Sequence, residues 1–175
     1  MRLEDHKLDT AKFMSARWTG GVIKPEIVVL HDTAGRLEKG NSARYLAQNE
    51  AKVSVHFVIE RDGTIVQLVQ TNHRANHCGQ SSFQGRKNCN DFSIGVEIVN
   101  PGKMTWVNQD EGLARAWFGE LFADNDELYD VREVSTPEHG TGVWMSYTGL
   151  QVDAVIALLT ALFRDIESLR DITTH

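Results

Sequence analysis

The stretch Ser54-Val55-His56-Phe57-Val58-Ile59-Glu60-Arg61-Asp62-Gly63-Thr64-Ile65-Val66-Gln67-Leu68-Val69 carries the clearest local signal in the chain. Val55, Phe57 and Ile59 alternate with Ser54, His56 and Val58. Arg61-Asp62-Gly63-Thr64 supplies turn-forming residues, and Ile65 to Val69 returns as a β-branched run. A period of two on either side of such a turn predicts a β-hairpin over 53–69. Upstream, Ile27-Val28-Val29-Leu30-His31 follows Pro25 and is closed by Asp32-Thr33-Ala34-Gly35. This predicts a buried strand that delivers His31 at its C-terminal end. Between the two, Ala43, Leu46 and Ala47 recur at helical spacing behind Ser42 as candidate cap, a short helix within 41–50.

Downstream, Ser93-Ile94-Gly95-Val96-Glu97-Ile98-Val99 separates an apolar set (Ile94, Val96, Ile98) from Ser93, Gly95 and Glu97, so Glu97 faces away from the apolar layer. From 101 to 147 periodicity is poor and charge is mixed, as in Asp124-Asn125-Asp126-Glu127. The expectation there is a long, mostly irregular excursion with a helix around 111–121. Thr148 to Arg170 places Leu150, Ala154, Leu158, Leu162, Ile166 and Leu169 on a helical period and predicts the longest helix. Asp171 to His175 begins like another strand. Strands near 27–31, 53–60, 64–69, 93–99 and 172–175, with a major helix before the last, make one α/β domain.

A chain of 175 residues, 41% apolar and 24% charged, is the size and composition of one globular domain. Its net charge is −6, from 18 Lys and Arg against 24 Asp and Glu. No broad basic surface exists to neutralise a phosphate backbone, which argues against a general nucleic-acid binder. No run approaches the roughly 18 apolar residues of a membrane helix, and no apolar signal core follows Met1-Arg2-Leu3-Glu4-Asp5. The expectation is a cytoplasmic chain, not exported through a cleaved N-terminal signal and not membrane-bound. Cys78 and Cys89 fit reduced thiols in such a compartment.

Seven histidines are present, and position separates them. His31 and His175 each close a short β-branched strand, where side chains distant in sequence converge. They are two candidate zinc ligands, with no third evident. Glu97 shares its face with Gly95 and Ser93, which leave room for a substrate. It is either a solvated sheet position or, beside a metal-activated water, a general base that takes a proton during attack on a carbonyl and returns it to the leaving amine. His56, inside the hairpin, reads as a core histidine bonded to backbone or a carboxylate, with support of a ligand as the alternative. His77, in Asn76-His77-Cys78-Gly79, is either a substrate contact or plain loop structure. A Cys78 nucleophile activated by His77 is disfavoured, because sequence neighbours in a loop rarely form that pair.

The segments Ile27-Val28-Val29-Leu30-His31-Asp32-Thr33-Ala34, Ser54 to Gln67, His77-Cys78-Gly79, Asn90-Asp91-Phe92-Ser93-Ile94-Gly95-Val96-Glu97 and Ile172-Thr173-Thr174-His175 together resemble the type 2 N-acetylmuramoyl-L-alanine amidases. That family includes AmpD-type recycling amidases, phage lysins and peptidoglycan recognition proteins. The resemblance implies a mixed central β-sheet flanked by helices, and a zinc ion (Zn2+) held by two histidines and an Asp or Cys. It also implies a groove that accepts the lactyl group and stem peptide of a peptidoglycan or muropeptide substrate. By motif, His31 matches the first ligand, His175 the second, Glu97 the general base of AmpD-type members and His77 the loop histidine near the substrate. Lysin-type members place a tyrosine immediately before the hairpin histidine, where this chain has Val55. The implied activity is zinc-dependent hydrolysis of the amide between N-acetylmuramic acid and L-alanine, by a recycling enzyme in the cytoplasm or a lysin released by phage-type lysis. A non-catalytic peptidoglycan-binding domain of the same fold is the alternative.

Two departures stand out. Family members continue past the second ligand into a loop carrying the third ligand and a lysine for the oxyanion, so residues 1–175 are expected to be a single amidase domain truncated after His175. The stretch 101–147 is longer than in compact AmpD-type members and is expected to add substrate contact or a partner surface.

Overall fold

The computed structural model describes residues 1–125, 129–137 and 140–175. His139 and the Asp126-Glu127 part of the mixed-charge stretch lie outside the described residues. The chain opens with a small hairpin, β1 (Leu3–Glu4) and β2 (Lys7–Leu8), and continues through β3 (Lys12–Phe13), β4 (Ile27–Asp32), helix α1 (Asn41–Gln48), β5 (Phe57–Ile59) and β6 (Ile65–Gln67). A second small hairpin, β7 (Ser82–Phe83) and β8 (Arg86–Lys87), and a 3-10 turn at Cys89–Asp91 lead into β9 (Ser93–Ile98). Then come β10 (Met104–Asn108), β11 (Leu113–Ala116), β12 (Leu121–Ala123), β13 (Val131–Thr136) and β14 (Gly140–Met145), helix α2 (Gly149–Asp165) and β15 (Asp171–Thr174).

The central sheet has the order β15-β4-β9-β5-β6-β3. The four strands β15, β4, β9 and β5 run parallel, and β6 returns antiparallel to β5. The expected mixed sheet flanked by helices is therefore what forms. One face packs on α2, where Val28, Ile94, Val96, Phe57 and Ile59 meet Leu158 and Leu162. Both leucines are fully buried, each worth roughly 1.5–3 kcal/mol. The other face packs on α1 through Val55, Val58, Val66, Ala43, Leu46 and Ala47. Strand β4 is covered on both sides, since Ile27 and Val29 pack on Cys78, Cys89 and Phe92. This explains its unbroken apolar run.

Helix ends are fixed by tertiary partners. Thr148 and Gln151 form a reciprocal capping box at the start of α2. Gln151 is fully buried and also donates from Nε2 to the Val99 carbonyl at 2.8 Å. Ser42 does not cap α1: the helix begins at Gly40, whose N–H donates to Glu60 Oε1 at 3.0 Å. A hairpin carboxylate does the work there, and local sequence gives no sign of it.

The largest departure from expectation is 101–147. The described residues form a five-stranded antiparallel sheet, β12-β11-β10-β14-β13, instead of an irregular loop with a helix at 111–121. Gly112 (φ 62°) and Gly119 (φ 89°) turn the chain at both ends of β11 and break any helix over that range. Small inward residues hide the alternation: Ala114 and Ala116 join Met104, Phe122, Val131, Val143 and Met145 in a separate core. Larger apolar residues such as Val107, Trp117, Leu121 and Val134 stay exposed. The strand pattern is thereby inverted for a reader of hydrophobicity alone. Among the described residues, no helix is long and apolar enough to cross a membrane.

Candidate active site

The parallel register lines up three strand ends. His31 on β4 is the pairing partner of Glu97 on β9, and on the other side Thr174 pairs with Leu30, which sets His175 next to His31. The His175 N–H donates to the Leu30 carbonyl at 3.1 Å, and the two imidazole centroids are 5.1 Å apart. His175, His31 and Glu97 thus stand in a row at the C-terminal edge of the parallel strands, where sheets of this kind build their sites.

His77 joins them from behind. Its Nδ1 lies 3.0 Å from His31 Nε2, and its Nε2 lies 3.1 Å from Ser93 Oγ. Ser93 Oγ donates to the Cys89 carbonyl at 2.6 Å, so its hydroxyl proton is committed. Ser93 must then accept from His77 Nε2–H, leaving His77 Nδ1 as the acceptor for His31 Nε2–H. The chain of bonds fixes His31 as the tautomer whose Nδ1 lone pair is free. Burial, with a smaller contribution from His175, holds the His31 pKa down to about 4, so the ring is neutral at neutral pH.

Glu97 is the acidic counterpart. Its Oε2 is buried without a hydrogen-bond partner, and burial, reinforced by Asp32, pushes its pKa up to about 8. It lines a cavity of about 480 Å³ together with Thr33, Ser42 and Trp117. A second cavity of about 370 Å³, lined by Asp32, Arg132, Trp144, Tyr147 and His175, opens on the other side. Burial and then Asp32 and Glu97 raise the Tyr147 pKa to about 12, so its hydroxyl stays protonated. A larger cavity of about 680 Å³, lined by residues such as His6, Pro25 and Arg170, holds none of this constellation.

The other candidates separate cleanly. His56 is fully buried and saturated by backbone: Nε2 donates to the His73 carbonyl at 2.8 Å, and Nδ1 accepts from Gly95 N–H at 3.0 Å. It is the core histidine of the sequence reading. Cys78 is buried against His77, its Sγ 3.1 Å from Nδ1, and burial raises the thiol to about 12, which removes it as a nucleophile. Cys78 and Cys89 are both free thiols. His6 and His73 lie away from the row, on the turn of the first hairpin and at the Val22 bridge.

Donor atoms of His31, His77 and Cys78 lie within 4.8 Å of one another, a grouping able to hold a metal ion. Within that grouping His77 Nδ1 faces both His31 Nε2 at 3.0 Å and the Cys78 thiol at 3.1 Å, and Cys78 keeps its proton. The His175 ring lies beside His31 but outside the grouping. Asp32, Tyr147 and Trp117 carried no signal in the sequence. Asp32 read as a turn residue, and the other two sat in the stretch taken as irregular.

The 1,6-anhydro-N-acetylmuramyl-L-alanine amidase AmpD of Citrobacter freundii is 60% identical over 57 residues, 33% of this chain and 30% of that protein. The N-acetylmuramoyl-L-alanine amidase CwlA of Bacillus subtilis is 33% identical over 76 residues, 43% of this chain and 26% of that protein. The matched stretches span about a third or less of these relatives. The crystal structure of a selenomethionine AmpD derivative superposes with a TM-score of 0.65 at 25% identity, covering 100% of this chain and 86% of that one. The family model described as N-acetylmuramoyl-L-alanine amidase matches residues 22–175, the central sheet and its row of His175, His31 and Glu97 included, and the chain belongs to that family.

Proposed function

We propose that this chain hydrolyses the amide between N-acetylmuramic acid and L-alanine in peptidoglycan or muropeptides, with Glu97 as general base and a zinc ion held by His31 and His175. The observation that carries the reading is the buried, unpartnered Oε2 of Glu97, one strand over from His31 and open to a cavity. A carboxylate kept without a partner costs stability, on the order of 1–3 kcal/mol or more, and such a cost persists where the group has work to do.

His31 and His175 supply two of the three protein ligands that a catalytic zinc takes. His31 is neutral with a free Nδ1, and His175 is beside it. Zinc held there supplies Lewis acidity, polarising the scissile carbonyl and acidifying a water. Glu97 takes one proton from the attacking water as the new C–O bond forms, then delivers it to the amide nitrogen as the C–N bond breaks. The products are the lactyl carboxylate of the sugar and the free amine of alanine. Burial raises the Glu97 carboxyl above the ordinary range in the metal-free chain, and a cation held beside it would favour the carboxylate that accepts the proton. Ser93 and His77 hold the His31 ring and its tautomer. His77, matched by resemblance to a substrate contact, acts here as a positioning residue beneath the ligand.

The test is release of free peptide from a muramoyl-peptide by the zinc-loaded chain. Turnover that Glu97→Gln reduces while zinc content stays constant supports the reading. Equal turnover by both forms, or none by the wild type, overturns it.

A further inference from the structure

Trp117 is held firmly and yet left in the open. It follows β11, in the turn Trp117-Phe118-Gly119-Glu120 that leads to β12. Its indole Nε1 donates to the Ala34 carbonyl at 2.6 Å, and its ring meets Phe118 edge-to-face, 5.6 Å between centroids. Arg36 clamps the same turn from the loop after β4, its guanidinium 5.2 Å from the Phe118 ring and 3.3 Å from Glu120 Oε2. Trp117 nevertheless remains 75% exposed and takes no part in the core of the second sheet. A ring this large, fixed but unburied, contributes little to folding. With its only donor committed to Ala34, what it offers is a flat π face.

That face belongs to the cavity that also contains Glu97. Around it are Asn41 and Ser42, which offer amide and hydroxyl groups, and the half-exposed ring of Tyr45, while the Thr33 hydroxyl is committed to the Asn100 backbone. An apolar wall beneath a polar rim suits a pyranose, whose axial C–H groups form an apolar face and whose hydroxyl and acetamido groups point outward. We infer that Trp117 and the groups around it form a saccharide subsite, in which the indole stacks on the pyranose ring of the muramoyl residue while its lactyl amide lies at Glu97. This deepens the amidase reading and rests on it for the identity of the sugar. The second sheet thereby supplies a specificity-determining residue, and the cavity beyond His175 is left for the peptide. Binding energy gained on the sugar, away from the reacting bond, goes into orienting the amide.

The experiment compares kcat/KM for N-acetylmuramoyl-L-alanyl-D-isoglutamine with that for D-lactoyl-L-alanyl-D-isoglutamine, which keeps the amide and lacks the sugar. The wild type prefers the sugar-bearing substrate. Trp117→Ala lowers that preference by about tenfold, the scale of one aromatic contact, and Trp117→Phe, which keeps a ring without the Ala34 bond, restores most of it. An unchanged preference in Trp117→Ala, or loss in Trp117→Phe equal to that in Trp117→Ala, overturns the subsite. If the wild type hydrolyses neither substrate, the amidase reading has failed, and saturation-transfer NMR with N-acetylmuramic acid alone still decides the subsite. Signal at the pyranose protons with wild type that disappears with Trp117→Ala upholds it. No signal with wild type, or the same signal with both, rejects it.

Discussion

A Cβ placed on Gly95 would stand 2.5 Å from Cγ of His77, so the imidazole beneath the candidate metal ligand rests directly on a backbone with no side chain. Gly95 is in the middle of β9, between Ser93 and Glu97 on the same face, and its φ is not the reason for the glycine. Its role is the space it leaves. Gly95→Ala pushes His77 off His31 and Ser93, and should cost about 1–3 kcal/mol of stability by overpacking while lowering zinc content. Urea denaturation and metal analysis of the purified variant test both. Wild-type values for the two would show that His77 has another place to sit.

Ser93→Ala separates positioning from packing. It removes the acceptor for His77 Nε2–H without adding bulk, which frees the His77 and His31 tautomers. Zinc affinity should fall by roughly 10–100-fold, as for other partners of ligand histidines, and His31→Ala should abolish binding. Competition with a chromogenic chelator measures this. Stoichiometric tight zinc in His31→Ala would remove the metal centre from this part of the fold.

Glu97→Gln should lower turnover by about 10²–10⁴-fold, the range for loss of a general base, with zinc retained. The same substitution should raise stability at pH 8 in the presence of a chelator, because the wild type must then ionise a carboxyl that burial disfavours. A variant both slower and less stable under those conditions would contradict the assignment of Glu97 as the strained group.

The metal-free protein should be most stable near pH 6.5. His31 and His56, held down to about 4 by burial, and His77, lowered by the same cause, bind fewer protons when folded than when unfolded between pH 4 and 6.5. Stability therefore rises with pH across that window and levels off above it. Glu97, raised to about 8, and Glu60, raised also by burial, keep protons that the unfolded chain has released above about 4.5, so stability falls as pH climbs toward 8. Three groups outweigh two below 6.5; above it the carboxyls act, joined toward pH 9 and in the same direction by the Cys78 thiol, which burial raises to about 12. Denaturant midpoints measured with a chelator from pH 5 to 9 trace the curve, and a continuous rise to pH 9 would contradict it.

Legibility in the sequence followed from how each element is stabilised. Strands β4 and β9 and the β5–β6 turn could be read because they are buried by regular apolar patterns, and in the hairpin Gly63 adopts φ 78° where the turn requires it. His31 and Glu97 could be located because they lie on β4 and β9, and His175 because it closes the short β-branched strand β15. The bond from His77 to His31 could not, since 46 residues separate them and only the folded loop shows which ring nitrogen faces which. The second sheet escaped because several of its inward positions are Ala and Met while Val107, Trp117, Leu121 and Val134 face out, which blurs the pattern that marks a strand. The N-terminal strands of two residues each were too short to carry any period.

The chain leaves β9 and returns to α2 through a clasp: Asn100 Nδ2 donates to the Met145 carbonyl at 2.9 Å, and Gln151 Nε2 donates to the Val99 carbonyl at 2.8 Å. Between these stems the described strands of the second sheet pair only with one another around their own small core, and touch the rest of the chain through the loop of Ala34, Arg36 and Leu37. Such an appendage behaves as a cassette. It can lengthen, shrink or be exchanged without disturbing the register that brings His175, His31 and Glu97 together, because loop length between fixed stems costs little free energy. Substrate range can therefore change on one side of the groove at a different evolutionary pace from the chemistry on its floor.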